Sequence, residues 1–121
     1  MSEKEIITEI GSRQNLLSLI ENSEEMIVLK FGAEWCRPCK KIEPVINDWF
    51  RILPGNVRCG ILDVDEEFDI YAFYKRQKII PSIPAILRFN AGNKSVYPDE
   101  AIFSSDEGEV NVFFQRLIND A

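Results

Sequence analysis

Residues 26 to 31, "MIVLKF", form a nearly continuous apolar run broken by a single lysine. A strand with one wet face alternates apolar and polar side chains, whereas such a run suits a strand covered on both faces at the centre of a sheet. Apolar helices are then needed on two sides, and the flanking patterns supply them. "SRQNLLSLIEN" places Leu16, Leu17, Leu19 and Ile20 on one helical face behind Ser12 as N-cap. "KKIEPVINDWFRIL" repeats through Ile42, Val45, Ile46, Trp49 and Leu53 and is stopped by Pro54 and Gly55, with Pro44 expected to kink it. "EEFDIYAFYKRQK" spaces Phe68, Ile70, Tyr71 and Tyr74 as anchors of a third helix. Ser104 and Glu107, at capping-box spacing, open a last helix through Val110, Phe113, Phe114, Leu117 and Ile118.

Between these helices lie further strand signals: "EIITEI", "NVRCGILDVD", "IPAILRF" and "NKSVYP", the last two joined by the hairpin signal "NAG". The order is β-α-β-α-β-α-β-β-α. Early alternation gives parallel pairing and the late hairpin gives an antiparallel end, so an α/β mixed sheet with helices on both faces is expected.

At 121 residues, 45% apolar and 28% charged, the chain has the size and composition of one domain, residues 1–121. A net charge of −6 and no histidine argue against a nucleic-acid surface and favour protein partners. The start, "MSEKEIITEI", carries acids and lacks the apolar stretch of a signal peptide. No apolar run approaches the roughly 20 residues of a membrane span. A cytoplasmic protein with no membrane partner is the expectation.

The three cysteines are Cys36 and Cys39, in "WCRPC", and Cys59. The spaced pair could be a redox couple, half of a metal site or a structural disulfide. Structural zinc takes four ligands, and neither a second CxxC nor a histidine is present, so no metal is expected. An odd cysteine count in a chain with enough apolar residues for its own core argues against a disulfide scaffold. Cys59 reads as a small buried hydrophobe.

"KFGAEWCRPCKKIEP", "CGILDVD" and "SIPAILRF" with "NAG" after it resemble the thioredoxin family, in order and spacing, over nearly the whole chain. The resemblance implies the thioredoxin fold, a mixed five-stranded sheet of order 1-3-2-4-5 flanked by four helices. It implies a monomeric thiol–disulfide oxidoreductase that reduces protein disulfides through a reversible Cys36–Cys39 couple and needs no other cofactor. A thioredoxin reductase or equivalent donor would restore the dithiol. Pro84 matches the family's cis proline facing the cysteines, although an X-Pro bond is otherwise cis in only about 5% of folded cases. Ile83, Trp35, Arg37 and Pro38 fall along the implied substrate-binding surface.

The two sulfurs have unequal physical roles. A cysteine where a loop enters a helix faces unpaired N–H groups and the positive helix end, which favour its thiolate, so Cys36 is the expected nucleophile. Cys39 lies one turn on, placed to attack a mixed disulfide at Cys36 and release the partner. Pro38 suits the first turn because it has no N–H to waste there. Trp35 covers the pair or is simply half-buried packing. Arg37 stands where ordinary thioredoxins have glycine, and its charge should make the couple more oxidising.

Two departures from the family pattern are larger. Lys30 occupies the position of the usual buried aspartate, and Ile61 replaces the lysine that often accompanies it. A buried lysine needs a partner, and Glu43, four residues after Cys39, is on the right helix face. A Lys30–Glu43 pair beneath Cys39 is expected, with Glu43 either a proton relay or simply the neutralising partner, unless both groups reach solvent. Gly32, where the family often has an aromatic, opens space beside the motif, and "VYPDEAIFSSDE" lacks the glycine common before the last helix. Both bear on substrate range. Asp99, Glu100, Asp106, Glu107 and Glu109 read as a solvated acidic face. The alternatives to a general reductase are a more oxidising or partner-dedicated oxidoreductase and a non-catalytic interaction module.

Overall fold

The computed structural model describes residues 5–121, leaving outside it Met1–Lys4, part of the acid-rich start. In chain order the elements are β1 (Ile6–Ile7), α1 (Arg13–Glu21), β2 (Met26–Gly32), α2 (Arg37–Ile52) and β3 (Val57–Asp63). They continue with α3 (Phe68–Arg76), β4 (Ala85–Phe89), β5 (Glu100–Ile102) and α4 (Glu107–Asp120). The strands form one sheet of order β1-β3-β2-β4-β5. β3 runs parallel to both β1 and β2, and β4 is antiparallel to β2 and β5. This is the thioredoxin fold anticipated from the sequence.

β2 lies at the middle, and all seven of its residues are buried. Its side chains alternate between two cores, as the period of a strand requires. Ile27, Leu29 and Phe31 face a cluster with Leu16, Ile20, Ile70 and Tyr74 of α1 and α3. Met26 and Val28 face the opposite cluster with Ile42, Ile46 and Phe50 of α2 and Val110, Phe113 and Phe114 of α4. By the same alternation Lys30 and Gly32 belong to the α2 side. α2 runs unbroken through Pro44, which has no N–H to return to the turn before it. Among the described residues no helix is long and apolar enough to cross a membrane.

Four local expectations are corrected. The fifth strand is Glu100–Ile102 and not "NKSVYP", which forms turns held by Asn93, whose side chain bonds Ser95 N, Tyr97 O and Asp99. α4 is capped by Asp106, whose carboxylate accepts from Glu109 N at 3.0 Å, while Ser104 bonds the Glu109 side chain and Asp106 N. Phe68 is 72% exposed and anchors nothing, leaving Ile70 and Tyr74 to seat α3. Glu100 is not merely solvated: it pairs with Arg116 at 2.7 Å and with buried Arg88 at 3.6 Å.

Candidate active site at the N-terminus of helix α2

Cys36 is the N-cap of α2, with an extended backbone (φ −94°, ψ 106°) that turns the chain from the loop into the helix. Its sulfur accepts from the Cys39 N–H at 3.3 Å, taking one of the donors that a helix start leaves unpaired. Pro38 occupies the first turn, where it costs no hydrogen bond. Cys36 and Cys39 are joined as a disulfide with Cα atoms 5.2 Å apart, inside the ordinary range. Both are buried, Cys39 more fully than Cys36. Cys59 is buried near the start of β3, in the cluster opposite the one that holds the pair.

The loop before β4 lies against the pair. The Ile83–Pro84 peptide bond is cis, as the resemblance implied, and the Ile83 carbonyl oxygen lies 3.9 Å from Cys36 Sγ. Pro84 is buried and Ile83 half-buried. Trp35 is 66% exposed, which sets aside the half-buried reading. Its indole N–H donates to Asp65 Oδ2 at 2.9 Å. Asp65 is held in turn by an Asp63 carboxylate that accepts from the Asp65 and Glu66 amides. An exposed aromatic face is thereby fixed beside the cysteines. Arg37 and Pro38 are exposed on the same rim.

Beneath the pair, the expected ion pair is present. Lys30 Nζ is 3.9 Å from Glu43 Oε2, with the lysine side chain 6% exposed and the carboxylate side 43%. Burial holds the Lys30 pKa below the usual lysine value, Glu43 opposes that shift and nearby Lys40 adds to it. Lys40 itself bonds Glu34, which raises its pKa, and lies 4.0 Å from Glu43. The space opened by Gly32 is not vacant. A Cβ there would lie 3.3 Å from both Cε and Nζ of Lys30 and 3.5 Å from Cys39 Cβ. The lysine side chain runs along its own strand over the glycine, on the face that meets Cys39 of α2.

Asp65 was missed in the sequence because its contact with Trp35 spans 30 residues. Also missed were two buried charged residues away from the site, Glu67 and Arg88. Arg88 interrupts the apolar "AILRF" as Lys30 interrupts "MIVLKF", a signal that was there to read.

A cysteine pair capping the helix after the central strand of a mixed sheet, opposite a cis-prolyl loop, defines a thioredoxin-fold domain with a redox-type centre. The Thioredoxin family model matches residues 8–106, and the chain belongs to that family. It is similar to chloroplastic thioredoxin M5 of Oryza sativa subsp. japonica, 32% identical over 85 residues covering 70% of this chain and 47% of the relative. To mitochondrial thioredoxin of Mus musculus it is 27% identical over 99 residues, 82% of this chain and 55% of that one. The chain spans about half the length of these curated relatives. Among solved structures, Trichomonas vaginalis thioredoxin superposes with a TM-score of 0.75 at 19% identity, over 93% of this chain and 96% of that one.

Proposed function

We propose that the protein is a thiol–disulfide oxidoreductase that reduces protein disulfides. The observation that carries the reading is the Cys36–Cys39 disulfide at the α2 cap, against the Ile83 carbonyl. In the reduced protein the Cys36 thiolate attacks a substrate disulfide, forming a mixed disulfide and releasing one substrate sulfur. Cys39 then attacks Cys36 Sγ, closes the internal disulfide and releases the second sulfur. The pair loses two electrons and the substrate gains them, so no other cofactor enters. A thioredoxin reductase or an equivalent dithiol donor returns the pair to its starting state. Cys36 keeps the helix-end donors that favour a thiolate, while Cys39, a turn deeper, is shielded until the mixed disulfide forms. A substrate chain lies across Trp35, Arg37 and Pro38 and pairs its backbone with that of Ile83, beside Pro84. The monomer carries the whole site.

A second reading, a more oxidising or partner-dedicated oxidoreductase, draws support from Lys30 lying over Gly32 beside Cys39. Insulin reduction tests both. The wild type should turn over, Cys36→Ser should abolish turnover, and Cys39→Ser should stall as a mixed disulfide visible on a non-reducing gel. Turnover with a chemical dithiol but not with thioredoxin reductase selects the second reading. Activity surviving in Cys36→Ser, or no activity with either donor, overturns the assignment of the site.

A further inference from the structure

On the reading above, Cys39 must become a thiolate before it can resolve the mixed disulfide, and the residues beneath it decide how readily that happens. Lys30 projects toward α2 because it alternates with Met26 and Val28 on β2. Its neighbours across the strands are Ile61 of β3 and Ile86 of β4, neither of which carries charge. The charged groups facing it come from α2, Glu43 at 3.9 Å and Lys40 beyond it. Asp63 of β3 sits in register with Gly32 and is felt at Lys40. The opening that admits the lysine is Gly32, because one point above that glycine is in contact range of Cε, Nζ and Cys39 Cβ.

We propose that Lys30, laid across Gly32 and held by Glu43, is a positioning residue whose ammonium stabilises the Cys39 thiolate during resolution. In a site sheltered from water a nearby cation acts strongly on a developing anion. In the step itself the Cys39 thiol releases its proton to solvent along the exposed edge of Glu43. Cys39 Sγ bonds to Cys36 Sγ, and the bond from Cys36 to the substrate sulfur breaks. That sulfur leaves with the electron pair and takes a proton from water. Lys30 forms no bond and exchanges no electrons. The same charge favours the reduced pair over the disulfide, making the couple more oxidising.

The test is a titration of the single thiol left in the Cys36→Ser, Cys59→Ala background, followed by thiolate absorbance. Adding Lys30→Met should raise the Cys39 pKa by about one unit, a tenfold loss of thiolate at a given pH. Adding Gly32→Ala, which intrudes on Cε and Nζ, should move it the same way by less. With Cys59 kept, Lys30→Met should slow resolution of a trapped mixed disulfide about tenfold at neutral pH. An unchanged or lowered Cys39 titration in Lys30→Met, with circular dichroism showing the fold intact, overturns the proposal. The titration needs no substrate, so its failure is separable from that of the proposed function. Insulin reduction with no shift sinks only the Lys30 proposal, and a shift without insulin reduction supports it while sinking the activity.

Discussion

At the scale of single residues, Lys30 sets function against stability. The folded protein holds its pKa below the ordinary 10.5, chiefly by burial. Between the depressed value and the ordinary one, the unfolded chain binds more protons at Lys30 than the folded chain, so stability rises with pH through that window. Below that window the whole penalty stands. Replacing a buried ion-pair lysine by a well-packed apolar side chain is often stabilising, and Glu43 is exposed enough to rehydrate alone. Lys30→Met should therefore raise the unfolding free energy on the order of 1 kcal/mol at neutral pH. The gain should shrink as the pH approaches 10.5. Urea unfolding at neutral and alkaline pH checks both statements, and a loss at neutral pH would show the pair to be net stabilising. Arg37, in contrast, is exposed on the first turn of α2. Screening limits its pull on Cys36, so Arg37→Gly should make the couple more reducing by no more than about 20 mV against glutathione. An unchanged or higher potential would remove Arg37 from the redox argument.

At the scale of elements, what the sequence showed depended on how each helix or strand is held. Long helices with a repeated apolar face were legible because burial acts on many residues at once. The two that seat α3, Ile70 and Tyr74, were among those singled out, whereas Phe68, at the helix start, has the spacing but no core above it. β5 escaped because it is three half-buried residues whose place is set by pairing with β4 and by Glu100 meeting Arg88. The α4 start was misplaced because Ser104 and Asp106 are both capping residues, and only the fold decides between them. The end of α3 offers a test. Past its C-cap, Lys78 adopts the left-handed region with φ 58°, and its N–H donates to Lys75 O at 3.0 Å. A helix end of this form is usually glycine, because a Cβ is strained there. Lys78→Gly should stabilise the protein by about 0.5–1 kcal/mol. By thermal unfolding that is a Tm increase of up to about 4 °C for a chain of this size. Lys78→Val should lower it, since a β-branched side chain tolerates that conformation less well.

At the scale of the whole molecule, the order of elements and the place of the cysteines followed from local pattern, since a central apolar strand dictates helices on both faces. The Lys30–Glu43 pair was legible for a similar reason: strand and helix periods each fix which face a residue takes. Contacts that join distant segments through a single polar group had no such pattern behind them. Glu67 looks like one more acid in "DVDEEFD", yet it is 2% exposed. Its carboxylate accepts from Ile10 N at 2.7 Å and Gly11 N at 2.9 Å. Those two amides have no local partner in the turn between β1 and α1, and Glu67 supplies one from the start of α3, more than fifty residues away. In this way it closes the α1 and α3 side of the sheet over the core. Glu67→Gln keeps the shape but leaves one amide facing an NH₂ group, a buried donor without an acceptor. The expected cost is about 1–3 kcal/mol in urea unfolding. The Ile10 and Gly11 amides should exchange faster with solvent than in the wild type, while insulin reduction by the folded fraction stays at the wild-type rate. Equal stability and unchanged exchange at those two amides would mean that the β1–α1 turn is held by packing alone, with the carboxylate incidental to it.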